Sequence, residues 1–111
     1  MTTPEQDNQP AIPRESKKPL FELGHIVATR GVLAHLDKHG INASDYINRH
    51  VRGDWGDVCP DDWKENDLSI ERGSRILSSY IIADRKVWVI TDGKSSEEDF
   101  PQTTMLFPSE Y

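Results

Sequence analysis

Apolar positions change their spacing twice along this chain, and the changes divide it. Through residue 18 large apolar side chains are almost absent, and three of the seven prolines fall there. Such a stretch buries too little surface to offset the entropy of ordering it. Residues 1–18 are therefore expected to form a disordered tail, and 19–111 a single folded domain. After Phe21 and Leu23, the run His25-Ile26-Val27-Ala28 predicts a short strand. Helical spacing follows. Thr29 caps a helix running to about His39, with Val32, Leu33 and Leu36 on one face and Gly40 as its stop. Asn42 or Ser44 opens a second short helix with Tyr46 and Ile47 as apolar contacts, ending near His50. Pro60 starts a third, where its missing N–H costs nothing; Asp61 and Asp62 suit the dipole there, Arg72 suits the other end, and Gly73 stops it. Trp63, Asp67 and Ile70 fall on one side of that helix.

From Arg75 the period becomes two. Ile76, Tyr80 and Ile82 alternate with Leu77 and Ile81; after a turn at Ala83-Asp84-Arg85, Val87 and Val89 oppose Trp88 and Ile90. Apolar residues on both faces mark the strand Lys86 to Thr91 as central. Asp92 to Gln102 is a polar loop, and Thr103 to Phe107 a last strand. The expected class is α+β: a short N-terminal strand, three short helices, then a three-stranded antiparallel meander, giving a sheet of three or four strands.

Composition narrows the functions open to such a domain. With 13 basic and 19 acidic residues the formal charge is −6, and the balanced tail leaves all of it on the folded part. Direct nucleic-acid binding through phosphates needs a basic surface and is not expected; a basic protein partner is. One cysteine, Cys59, excludes an internal disulfide and a thiol-only zinc site, and it is expected to be half-buried at the third helix's start. No apolar run spans a membrane and no secretory leader is evident, so the expected location is cytoplasmic, with no membrane association.

Candidate chemistry concentrates in His50-Val-Arg-Gly-Asp-Trp-Gly-Asp57. Histidine beside a carboxylate can act as a general base, and an arginine can hold a developing oxyanion. His50, Arg52 and Asp54 are thus the candidates for a small metal-free ribonuclease-like enzyme. The competing reading makes Gly53, Asp54, Trp55 and Gly56 a structural loop, with Trp55 buried and Asp54 or Asp57 capping backbone N–H groups at the start of the third helix. His35 and His39, four apart, can share a helix face, but the metalloprotease glutamate is missing; neither a metal nor any cofactor is expected. The acidic series Asp54, Asp57, Asp61, Asp62, Glu65, Asp67 and Glu71 is interrupted by Lys64 alone, and Glu97, Glu98 and Asp99 add a second group. Asp57, Asp61, Asp62, Glu65, Glu97, Glu98 and Asp99 are the expected binding residues.

The motifs Gly53-Asp54-Trp55-Gly56-Asp57, Arg75-Ile76-Leu77-Ser78-Ser79-Tyr80, Val87-Trp88-Val89-Ile90-Thr91 and Thr104-Met105-Leu106-Phe107-Pro108-Ser109-Glu110-Tyr111 occur in this order. Over about residues 23 to 111 the chain resembles a family of small uncharacterised bacterial proteins carried on plasmids and other mobile elements. The resemblance implies a mobile-element setting and carries over no catalytic residue. In that setting an acidic domain is expected to be a protein-binding accessory factor, such as an anti-defence inhibitor that blocks a basic nucleic-acid-binding partner. Two alternatives stand beside it: the ribonuclease-like enzyme using His50, and a non-catalytic homodimer formed through the C-terminal strand or an exposed aromatic.

Overall fold

The computed structural model describes residues 18–92 and 101–111. The tail expected over 1–18, save Lys18, and the carboxylates of Glu97, Glu98 and Asp99 lie outside them. The elements run β1 (His25–Ala28), α1 (Arg30–Lys38), α2 (Ala43–Val51), α3 (Pro60–Arg72), β2 (Ile76–Ile82), β3 (Arg85–Asp92) and β4 (Gln102–Leu106), with a 3-10 turn at Pro108–Glu110. The class is α+β. The meander β2–β3–β4 is antiparallel as expected, and β1 joins it as a fourth strand, parallel to β4, in the order β1-β4-β3-β2. That order corrects one expectation. The C-terminal strand β4 is interior, its backbone paired on both sides, so it offers no edge for a homodimer.

Local chemistry sets the helix ends much as the sequence implies. The Thr29 hydroxyl accepts from Val32 N, and Asn42 accepts from Ser44 N. α3 begins at Pro60 and ends on Gly73 in the left-handed region. Its N-cap is Cys59, which is exposed and makes no side-chain cap bond. The two-residue turn Ala83-Asp84 has φ of 49° and 65°, matching the twist of the β2–β3 hairpin as a primed turn does.

α1 and α2 cover one face of the sheet. Val32, Leu36 and Ile47 pack there with Tyr80, Ile82, Val87, Val89, Met105 and Phe107 in one core. Leu33 departs from the expected helix face: Val32 and Leu36, four apart, point inward, and Leu33, one step around, is exposed. On the opposite sheet face Ile90 and Leu106 are buried and Trp88 is half-buried against Tyr111, so the central strands are largely closed there too.

The β2 edge is closed by side chain and loop. Asn66 of α3 gives Nδ2–H to Leu77 O (2.7 Å) and takes Leu77 N–H on Oδ1 (3.1 Å), substituting for a neighbouring strand. Two residues on, Ser79 N donates to Trp55 O and Asp57 N donates to Ser79 O. Edge groups left unpaired invite strand addition from another chain; here α3 and the Trp55–Asp57 loop take those of Leu77 and Ser79.

Candidate functional site

The candidate residues around His50 divide between a closed interior and the surface. α2 carries His50 inward, where it is 0% exposed. Its Nδ1 lies 2.5 Å from Ser78 Oγ on β2, and its Nε2 lies 2.9 Å from Thr91 Oγ1 on β3. Thr91 Oγ1 is 2.8 Å from Thr103 Oγ1 on β4, which donates to Leu23 O at 2.8 Å. Counting protons fixes every direction. A carbonyl only accepts, so Thr103 spends its single proton on Leu23. It must therefore accept from Thr91. Thr91 then has no proton left for His50, so Nε2 carries the hydrogen and donates to Thr91. Nδ1 is bare and accepts from Ser78. The result is a neutral imidazole of one tautomer, inside a chain running from Ser78 to the backbone at Leu23.

A protonated imidazole has no place here. Burial pushes the His50 pKa from 6.5 down to about 3. Ser78 and His50 have the spacing of a nucleophile–base pair, but both are completely buried, and no substrate carbonyl or phosphate can reach the hydroxyl. Phe21 closes the remaining side. Leu20 N donates to Val51 O, and the Phe21 ring then stands edge-on to His50 (5.3 Å) and near Trp55 (6.1 Å).

Asp54 and Arg52 are elsewhere. Arg52 is the exposed C-cap of α2. Asp54 Oδ2 takes a 2.7 Å bond from Arg49 Nε, its Oδ1 accepts from Gly56 N, and its carbonyl accepts from the Tyr80 hydroxyl at 2.6 Å. Burial opposes the charge on Arg49, but Asp54 outweighs it and the guanidinium pKa is raised; the group also lies 4.6 Å above the Tyr80 ring. Burial pushes the Tyr80 phenol up. His50, Arg52 and Asp54 are thus not brought to a common cleft. The capping role expected of Asp54 is corrected in one respect: it caps its own loop two residues on, and Asp57 Oδ atoms cap nothing at the helix start.

Trp55 anchors the loop. It is 0% exposed, and its indole N–H donates to Asp67 Oδ1 of α3 at 3.1 Å. Asp67 is therefore drawn out of the acidic series to hold the ring. Gly56 fits beneath Ser79: its φ is 74°, and a Cβ there would lie 2.2 Å from Ser79 O. His35 and His39 stand side by side with ring centroids 4.8 Å apart, but the inner nitrogen of His35 is committed, donating to Ile82 O at 2.8 Å. Among the described residues no group of three or more His, Cys, Asp or Glu could hold a metal ion.

What faces solvent is acidic. Asp57, Asp61, Asp62 and Glu65 are exposed around the start of α3, flanking half-buried Trp63, and among the described residues none of the four makes an ion pair or side-chain hydrogen bond. Arg49, Asp54, Asp57, Trp63, Tyr80 and Ile81 line a shallow depression of about 390 Å³ beside them. A second hollow of about 410 Å³ lies between the end of α3, Phe21 and Pro101, and Thr91 forms part of its wall. The sequence does not mark Thr91 or Thr103, and it shows Ser78 only as a strand serine outside any Gly-x-Ser-x-Gly nucleophile setting. Their signal is a hydroxyl on the inward face of each of three strands, beside Ile76 and Tyr80, Val89 and Met105. Among the described residues no helix is long and apolar enough to cross a membrane. No family model, curated protein or solved structure matches the chain.

Proposed function

We propose that this chain is a small acidic protein-binding factor whose contact surface is the start of α3. The setting is the one its resemblance implies, a bacterial mobile element. The observation that carries the reading is the contrast between two groups of residues. His50 is locked neutral behind Phe21 and Trp55, whereas Asp57, Asp61, Asp62 and Glu65 stand exposed and, among the described residues, unpaired. Unpaired carboxylates on a rigid helix end attract a basic partner and set its orientation at no cost in broken ion pairs. A basic, nucleic-acid-binding surface of a host defence protein suits that arrangement, and occupying it would block it. Helix α3 is held rigid by Asn66 and Asp67, so the carboxylates are presented in a fixed pattern.

The test is affinity capture from a host lysate at low and moderate salt, with identification by mass spectrometry. A stoichiometric basic partner is expected, weakened by salt and lost when Asp61, Asp62 and Glu65 are changed together to lysine. Glu22, Asp37 and Asp45, also exposed, provide a control of equal charge change elsewhere. Equal loss in both triple variants would reduce the effect to net charge, and recovery of the bait alone would contradict the proposal.

A further inference from the structure

The two edges of the sheet are treated in opposite ways. At β2, Asn66 and the Trp55–Asp57 loop occupy the outward groups of Leu77 and Ser79. At β1 nothing does. His25 N donates inward to Pro101 O and Thr29 N to Met105 O, so by the alternation of a strand the N–H and C=O of Ile26 and Ala28 point outward. Among the described residues no protein group meets them. Apart from its shortness, β1 carries no guard against strand addition: between His25 and Ala28 there is no lysine, acid, proline or bulge. Ile26 is 52% exposed on one side of the sheet and Val27 42% exposed on the other.

We infer that β1 is the seat of a two-fold dimer, in which a second copy of this chain adds its own β1 antiparallel and makes the two sheets continuous. The occupant follows from self-complementarity. With the two-fold axis at Val27, Ile26 faces Ala28 of the second copy and Ala28 faces its Ile26. Each is a pair that exchanges two hydrogen bonds, so all the outward donors and acceptors of Ile26 and Ala28 are satisfied in both chains. Ile26 lies beside the small Ala28 of the second copy, and the two Val27 side chains meet at the axis in a close, non-hydrogen-bonded pair. No like charges oppose each other within the strand. A one-residue shift would turn bonded residues against unbonded ones, and a two-residue shift would set Ile26 against helical Arg30 or Ala28 against Gly24, so this is the register that pairs both residues within the strand. A four-residue strand buries less than the roughly 1,200 Å² of a permanent interface, so the dimer forms in a concentration-dependent way. This surface is separate from α3 and does not depend on the function proposed above.

Sedimentation equilibrium of the full chain, over a concentration series reaching about 1 mM where weak dimers populate, tests it together with Val27→Lys and Val27→Glu. Both substitutions are at an exposed side chain, and circular dichroism checks that the fold is kept. The unaltered chain should move with concentration from 12.7 kDa toward twice that mass. Each variant, which opposes like charges at the axis, should associate roughly tenfold more weakly. An equimolar mixture of the two should recover dimer, because lysine then faces glutamate. A chain that stays monomeric throughout, a Val27→Lys variant that associates undiminished, or a mixture that recovers nothing would each overturn the inference.

Discussion

Lowering the pH should destabilise this protein through one buried histidine before its carboxylates titrate. In the unfolded chain His50 takes up a proton near its ordinary pKa of 6.5, whereas the folded state resists until about 3. The folded pKa is depressed, so the folded form binds fewer protons throughout that interval. Stability is complete above 6.5 and falls as pH drops toward 3. Each pH unit inside the window costs about 1.4 kcal/mol, so passing from pH 7 to pH 5 should cost about 2 kcal/mol. That is a large share of the roughly 5–15 kcal/mol that holds a domain together. Urea unfolding at constant ionic strength from pH 7 to pH 5 measures it as a fall in midpoint at constant slope. His50→Gln is the decisive companion, since an amide can engage both Ser78 and Thr91 yet cannot titrate. It is expected to be less stable at pH 7 but flat over the interval. A wild-type midpoint unchanged between pH 7 and 5, or a glutamine variant with the same slope, would refute the closed-network argument.

Two further substitutions test how the site's scaffold is held. Gly56→Ala should cost about 3 kcal/mol or more, because its Cβ meets the Ser79 carbonyl 2.2 Å away. Gly73→Ala, with similar φ but nothing within 4 Å, should cost only about 1 kcal/mol in the same unfolding assay. Asn66→Leu should lower stability by about 1–3 kcal/mol by orphaning Leu77 N and O. Light scattering should also show new aggregation through the uncovered β2 edge; a soluble Asn66→Leu protein of unchanged stability would contradict that role.

Local pattern made the elements legible, and the same locality bounds what it reveals. Cap residues, Pro60 and Gly73 mark helix ends within a residue or two, and alternation marks β2 and β3, because each signal acts over a few positions. The seat of β1 was not legible: its parallel partner β4 is about 77 positions away, and nothing in either strand encodes that pairing. Trp55 was legible as a buried anchor. Asp67 was not legible as its partner, because a carboxylate in an acidic helix reads like its solvated neighbours. His50 shows the limit most plainly. Its sequence neighbours Arg52 and Asp54 suggest catalysis, but its hydrogen-bond partners lie 28 and 41 positions away. Those partners are hydroxyls on the sheet, and they determine its charge and tautomer.

The imidazole nitrogens of His50 test the central claim most directly, because the ribonuclease-like alternative needs an accessible, titratable His50 and the proposed binding module does not. Nitrogen-15 NMR of selectively labelled protein, titrated from pH 7 to pH 4.5, reads both protonation and tautomer. The account predicts a protonated Nε2, a bare Nδ1 and no change across that range. A midpoint near 6.5, or a proton on Nδ1, would contradict it and return His50 to the list of catalytic candidates.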